Sequence, residues 1–231
     1  NIIGSQNVID ACLHEHVKIV VGVGTDKAVS PLNTYGATKL LMEKLFVSAN
    51  SFINPKKHKT KFIALRYGNV LGSSGSVLPK FIDLSKNKQK ITITDTNMTR
   101  FSLTMDEALD FILDSTFRGN GSEVFVPKLR SYSIMDMKNA VSELVNDMGH
   151  TIISIRPGEK LHETLINQDE ARYTWEFNNT YVIFNPSKSE SEIKKQYSGI
   201  KKAKFSESYS SNMVKKIPQK ELTKIIKTKY L

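Results

Sequence analysis

Short, continuous apolar runs along this chain alternate with stretches whose apolar positions recur every three or four residues. The first kind marks buried strands, the second amphipathic helices. Ile2, Ile3, Val8, Ile9 and Cys12 keep a helical rhythm over residues 1 to 15. Lys18-Ile19-Val20-Val21-Gly22-Val23-Gly24 reads as a buried parallel strand. After Pro31, Leu40, Leu41, Leu45, Phe46 and Ala49 form the stripe of a helix expected over 34–53. Lys61 to Tyr67 reads as the next strand. Strand, helix, strand in that order is a parallel βαβ unit, which crosses over right-handed.

The alternation continues. A helix is expected from Val77 to Ser85 and a short strand from Lys90 to Thr94. A second amphipathic helix spans 104–117, with Thr104 as N-cap and Glu107 three residues on completing a capping box. Glu123 to Val126 is a strand, and Ser133, with Asp136 at N3, opens another helix. Strands are expected at 151–155 and from Tyr181 to Phe184. Residues 186–231 read as a loosely packed extension that ends in a helix near 219–229. Interleaved strands and helices of this kind define an α/β fold.

Composition adds limits. A chain of 231 residues, 39% hydrophobic with only 7 Pro, is globular and holds one real core with room for a small second lobe. No apolar run approaches a membrane-spanning length. The single Cys12 excludes an internal disulfide framework and fits a reducing cytoplasm; a small residue on a buried helix face suits it better than a nucleophile. The net charge is +10; residues 188–231 hold 12 Lys and 4 Glu, hence +8, which leaves +2 for the rest. A basic tail can mark a nucleic-acid contact. No aromatic-interleaved basic motif accompanies it, so a solvated Lys-rich face is the preferred reading and no nucleic acid is expected.

The chemistry gathers early. Tyr35 and Lys39 lie four apart at a helix start, so they share one face. An ammonium one turn from a phenol favours the phenolate. Asp26 and Lys27 put an acid and an amine at the carboxyl end of the preceding strand, where open α/β sheets bind ligands. Gly72 to Val77 offers backbone amides to a phosphate near a helix start. Arg100 and Arg156 are candidate diphosphate clamps, because guanidinium forks match phosphate oxygens. Arg172 is a weaker candidate near the substrate. Glu159, Lys160, His162 and Glu163 tempt as a metal site, but their spacing fits none, and His162 reads as structural. Trp175 has no assignable role.

Thr25-Asp26-Lys27-Ala28, Tyr35-Gly36-Ala37-Thr38-Lys39, Arg66-Tyr67-Gly68-Asn69-Val70, Gly72-Ser73-Ser74-Gly75-Ser76-Val77, Met98-Thr99-Arg100-Phe101, Phe125-Val126-Pro127-Lys128 and Arg156-Pro157-Gly158-Glu159-Lys160-Leu161-His162-Glu163 follow one another in order. Over roughly residues 1 to 185 they resemble the extended short-chain dehydrogenases/reductases. Within that superfamily they look like the UDP-N-acetylglucosamine 4,6-dehydratases. The resemblance implies the C-terminal portion of a Rossmann-type doubly wound parallel sheet with a smaller α/β nucleotide-sugar lobe. On that basis 1–72 would complete the dinucleotide-binding half, 73–185 the substrate lobe with returns to the sheet, and 186–231 the basic extension.

The resemblance also implies roles. Tyr35 would exchange the proton of the sugar C4 hydroxyl, and Lys39 would hold the nicotinamide ribose. Thr25 would bond the C4 oxygen, Asp26 protonate the departing C6 hydroxyl and Lys27 remove the C5 proton. An Asp-Lys pair here matches the C5-inverting type. Asn69 would touch cofactor and substrate; Ser76, Arg100, Arg156 and Glu159 would bind substrate. NADP, or NAD, is the implied cofactor, a UDP-sugar the substrate, and a homo-oligomer the assembly, with no metal. The family's glycine-rich pyrophosphate turn is missing, so the chain reads as the C-terminal part of a longer enzyme. A UDP-sugar 4-epimerase, which needs no Asp26-Lys27, and an inactive remnant are the alternatives.

Overall fold

A computed structural model describes residues 1–54, 56–205 and 207–231. Its elements begin with α1 (Ile2–His14), β1 (Ile19–Val23), α2 (Thr34–Phe52), β2 (Lys61–Leu65), α3 (Val77–Lys86), β3 (Ile91–Ile93) and β4 (Thr99–Ser102). Next come α4 (Met105–Arg118), β5 (Val124–Pro127), β6 (Arg130–Ser133), α5 (Ile134–Leu144), β7 (His150–Ile152) and β8 (Thr164–Ile166). The chain ends with α6 (Gln168–Ala171), β9 (Thr174–Phe177), β10 (Thr180–Ile183), α7 (Glu190–Gln196), β11 (Lys201–Lys202) and α8 (Gln219–Lys229). They form two compact units. The first takes Asn1–Tyr67, Leu109–Lys128 and Thr164–Tyr209; the second takes Gly68–Ala108, Leu129–Glu163 and Ser210–Leu231.

The first unit is built on a six-stranded sheet in the order β1-β2-β5-β10-β9-β11. β1, β2 and β5 run parallel. Phe62, Ile63, Ala64 and Leu65 of β2 are fully buried, as a central parallel strand covered on both faces requires. Alternate side chains go to opposite layers. Phe62 joins Ile9 of α1 and Met42, Phe46 and Ala49 of α2. Ile63 and Leu65 join Phe111 of α4, Trp175 and Ile193 of α7. Helices on both faces make this part of the sheet doubly wound. β10, β9 and β11 are antiparallel additions. The hairpin β9–β10 turns at Asn178-Asn179, with Asn178 at φ +53°, a conformation that asparagine tolerates.

The helices correct two expectations. In α2 the buried positions are Gly36, Met42, Glu43, Phe46 and Ala49, whereas Leu41 is half exposed. Phe46 and Ala49 of the expected stripe are buried, but in the N-terminal half of the helix Met42 and the charged Glu43 take the places expected for Leu40 and Leu41. In α1 only Ile9 is buried, and Ile3 lies in the open.

The second unit packs α3, α5 and α8 over the parallel pair β3–β7 and the antiparallel pair β4–β6. Leu78, Phe81, Ile91, Ile93, Met137 and Val141 fill its core. The caps read in the sequence are present. Thr104 N donates to Glu107 Oε2 at 2.7 Å, and Asp136 N donates to Ser133 Oγ at 3.0 Å. The strand expected at 151–155 is instead His150–Ile152; its other edge is free of partners among the described residues and all three residues are exposed. Residues beyond 186 are not loosely packed. Ile193, Tyr197 and Ile200 enter the core of the first unit, and Leu222 and Ile226 that of the second. Their spacing, four apart in α8, gives one apolar edge to an otherwise lysine-rich helix. No helix among the described residues is long and apolar enough to cross a membrane.

Leu222→Ala is therefore expected to cost the protein ~2–5 kcal/mol, the range for a large-to-small change in a closed core. Urea denaturation measures it. A cost near zero would mean that α8 is not packed.

Candidate functional site

In the first unit the chain leaves β1 through a single 3-10 turn, Asp26–Ala28. Thr25 caps it, and the Thr25 hydroxyl donates to Asp26 Oδ1 at 2.8 Å. Lys27 Nζ reaches the same oxygen at 3.2 Å. Asp26 is 1% exposed while the Lys27 side chain is 40% exposed. A buried carboxylate thus holds an ammonium at the surface of the turn, one proton donor and one acceptor side by side.

Helix α2 begins seven residues on, and Asn33 caps it by accepting from Gly36 N at 2.9 Å. Gly36 fixes how close helix and turn come. A Cβ there would stand 2.4 Å from the Lys27 carbonyl oxygen, so only glycine allows this approach. Gly24 does the same on the strand side, where a Cβ would meet the Leu65 carbonyl at 2.6 Å. Tyr35 and Lys39 follow on one face of α2; the Tyr35 ring is half exposed, and Lys39 Nζ lies 4.0 Å from Met42 Sδ.

One buried charge cluster was not legible as such. Arg66 is fully buried, and all five of its N–H donors are used. Nε and Nη2 donate to Glu43 at 2.9 and 2.5 Å. Nη1 and Nη2 donate to Glu170 at 2.8 and 2.9 Å, and Nη1 also donates to the Leu165 carbonyl at 2.9 Å. Burial pushes the Glu170 carboxyl up, but the Arg66 hydrogen bonds and charge outweigh it and hold the group below its ordinary value. The available signal was Glu43, a charge one position off the apolar stripe of α2.

In the second unit, Asn69, Ser76, Arg100, Arg156 and Glu159 line one cleft of about 190 Å3. These five residues thus share one cleft. Lys80, Thr92 and Thr94 line it too and were missed, because nothing in their local sequence marks them. Ser76 sits at the N-cap of α3 without making a capping hydrogen bond. Its hydroxyl and that of Thr92 are buried without a hydrogen-bond partner among the described residues. Unsatisfied buried hydroxyls facing a cleft are available to a ligand. Three cations, Lys80, Arg100 and Arg156, outnumber Glu159 there, which favours an anion.

Arg100 is strongly held. It donates to the carbonyls of Thr99 (2.7 Å) and Leu161 (3.2 Å) and pairs with Glu159 at 3.7 Å and Glu163 at 3.5 Å. Arg156 is exposed, on a turn closed by Glu159 N donating to its carbonyl at 3.0 Å. His162 Nδ1 meets the Thr99 hydroxyl at 2.8 Å, and burial, then Arg100 and Lys216, lower its affinity for a proton. That is a structural setting. Arg172 pairs with Asp169 on the surface of the first unit at 2.5 Å. Trp175 is a core residue whose ring faces the ammonium groups of Lys202 and Lys194 at 5.0 and 5.7 Å.

A protein family described as polysaccharide biosynthesis protein matches residues 1–185. A protein from Campylobacter jejuni subsp. jejuni serotype O:2 named UDP-N-acetylglucosamine 4,6-dehydratase (inverting) is 47% identical over 184 residues, 79% of this chain and 54% of that protein. A protein from Rickettsia bellii named UDP-glucose 4-epimerase is 34% identical over 227 residues, 98% of this chain and 66% of that protein. The X-ray structure of Pen from Bacillus thuringiensis superposes with a TM-score of 0.86 at 35% identity, over 99% of this chain and 68% of that one. The chain thus spans about half the length of the first curated relatives it matches.

The Arg66 cluster makes stability depend on pH. Glu170 titrates lower when folded than when unfolded, where a glutamate titrates near about 4.3. Its contribution is present above that value and is lost as pH falls through the folded one. Stability should fall from pH 5 to pH 3, and fall less in Glu170→Gln; urea midpoints across that range measure both. Equal losses would remove Glu170 as a source.

Proposed function

The chain belongs to the polysaccharide biosynthesis protein family, and we propose that it carries the catalytic turn and the nucleotide-sugar lobe of a C5-inverting UDP-N-acetylglucosamine 4,6-dehydratase. The observation that carries this reading is the cleft that gathers Asn69, Ser76, Arg100, Arg156 and Glu159, cationic overall and lined by two unsatisfied hydroxyls. A nucleotide diphosphate supplies the acceptors those groups lack. The N-terminal amides of α3 add to them.

The turn would do the chemistry. A half-exposed phenol and an amine on one face of α2, at the carboxyl end of β1, fit the ribose and nicotinamide end of a dinucleotide. A nicotinamide held there would supply reversible hydride transfer, from sugar C4 and back to C6. Tyr35 accepts the C4 hydroxyl proton, Lys39 and Asn69 hold the cofactor, and Thr25 bonds the C4 oxygen. The C4 ketone acidifies the C5 proton, which Lys27 removes. A proton passed from the Lys27 ammonium to Asp26 Oδ1, 3.2 Å away, would free the amine to act as that base and leave Asp26 as the acid that lets the C6 hydroxyl depart as water. Hydride at C6 and a solvent-derived proton delivered to the opposite face of C5 would complete the 4-keto-6-deoxy sugar with C5 inverted.

On this reading residues 1–72 complete the dinucleotide-binding half and 73–185 form most of the sugar lobe. NADP, with NAD as the alternative, is the cofactor, and the enzyme is a homo-oligomer of the cytoplasm. The Rickettsia relative favours a second reading, a UDP-sugar 4-epimerase. That reaction shares Tyr35, Lys39 and C4 oxidation but leaves Asp26 and Lys27 without work.

Arg156→Ala should weaken UDP binding about ten-fold or more, the effect of losing a charge-assisted hydrogen bond to a phosphate. Lys27→Ala should leave it within about two-fold, since this residue acts on the sugar. Calorimetric titration of UDP measures both. An unchanged affinity in Arg156→Ala would remove the clamp from the reading.

A further inference from the structure

The Arg66 cluster holds more charge than the fold needs. One guanidinium faces two carboxylates, Glu43 and Glu170, with Glu43 fully buried. Well-packed apolar side chains stabilise such a site as well or better. What they cannot supply is fixed direction. A guanidinium with five satisfied donors defines the position of every partner.

One of those partners, Glu43, lies beside the strand end from which the catalytic turn leaves. The residues on either side of Arg66 hold the turn through their carbonyls. Gly24 N donates to Leu65 O at 2.7 Å, and Asp26 N donates to Tyr67 O at 3.1 Å. The Arg66 side chain meanwhile holds α2 through Glu43. Tyr35, Lys39 and Glu43 follow at intervals of four, so they share one face of that helix. The Glu43 carboxylate also lies beneath the strand end, 3.6 Å from where a Cβ on Gly24 would be. Glu170 extends the tie, since its carboxylate accepts from Asn167 N at 3.2 Å in a capping box on α6.

We infer that Arg66 is a positioning residue: through Glu43 it fixes the face of α2 bearing Tyr35 and Lys39, while its neighbours fix the Thr25–Ala28 turn opposite. The catalytic meaning of that geometry rests on the function proposed above; the geometry itself does not. Fully buried with all five donors used, Arg66 offers no group to a substrate or cofactor.

The test uses Arg66→Met combined with Glu43→Leu and Glu170→Gln, which removes the charges together, and Arg66→Lys alone, which keeps a buried cation with fewer donors. Amide hydrogen exchange comes first, in the protein from its complete reading frame. Both variants should lose protection about ten-fold or more at Asp26–Val29 and Gly36–Lys39, while Ile63 and Val182 in the sheet keep theirs. Where the protein turns over, kcat should fall about 100-fold with KM within about three-fold, the signature of misplaced reacting groups. Arg66→Lys, which keeps the charge, gives the same pattern if the triple variant does not fold. Unchanged protection at the turn and helix start in a folded variant would overturn the inference. A protein that binds UDP but shows no turnover in unmodified form would count against the proposed reaction alone, and exchange would still decide the role of Arg66.

Discussion

Five hydrogen bonds from one guanidinium organise the first unit. Arg66 follows the central strand β2, and its five hydrogen bonds tie three elements to it: two go to α2, two to α6 and one to the carbonyl of Leu165 at the middle of β8. Such an ion in a dry core is costly unless every donor and charge is met. Once it is met, it permits one arrangement of strand, helix and turn. The close approaches at Gly24 and Gly36 are consistent with that arrangement, because each admits a carbonyl where a side chain would stand. The buried Asp26 and half-exposed Lys27 of the turn follow from it.

The second unit solves a different electrostatic problem. Its cleft keeps several cations close together without collapsing around them. Glu159 and Glu163, with two backbone carbonyls, hold Arg100 in a fixed direction, so the guanidinium is ordered before any ligand arrives. Arg156 and Lys80, by contrast, are exposed and carry charge that no carboxylate within the cleft other than Glu159 offsets. An ordered cation in the wall and mobile-stemmed cations at the rim suit a ligand that is both charged and specifically shaped.

Much of this was legible in the sequence because it is local. Strand β1, the turn after it and the Tyr35/Lys39 pair depend on spacing along a few residues. The caps at Thr104 and Ser133 depend on neighbours three residues away. What escaped is non-local. Glu43 pairs with a residue 23 positions on, and Glu170 with one 104 positions back. No periodicity encodes that. Leu40 and Leu41 look more apolar than Glu43, so hydropathy alone picked them over Met42 and Glu43 while placing Phe46 and Ala49 correctly. The segment after 186 looked loose because lysines dominate it, yet Leu222 and Ile226 suffice to seat α8. Lys80 and Thr92 join the cleft only through tertiary folding.

On the proposed function, Lys27 removes the C5 proton of a nucleotide sugar. The direct measurement is proton NMR of UDP-N-acetylglucosamine with NADP in D2O, using the enzyme from its complete reading frame. The account expects a 6-methyl signal to grow, with deuterium at C5 and ring couplings that report inversion there. A C4-epimerised sugar that keeps its C5 proton and gains no methyl signal would contradict it.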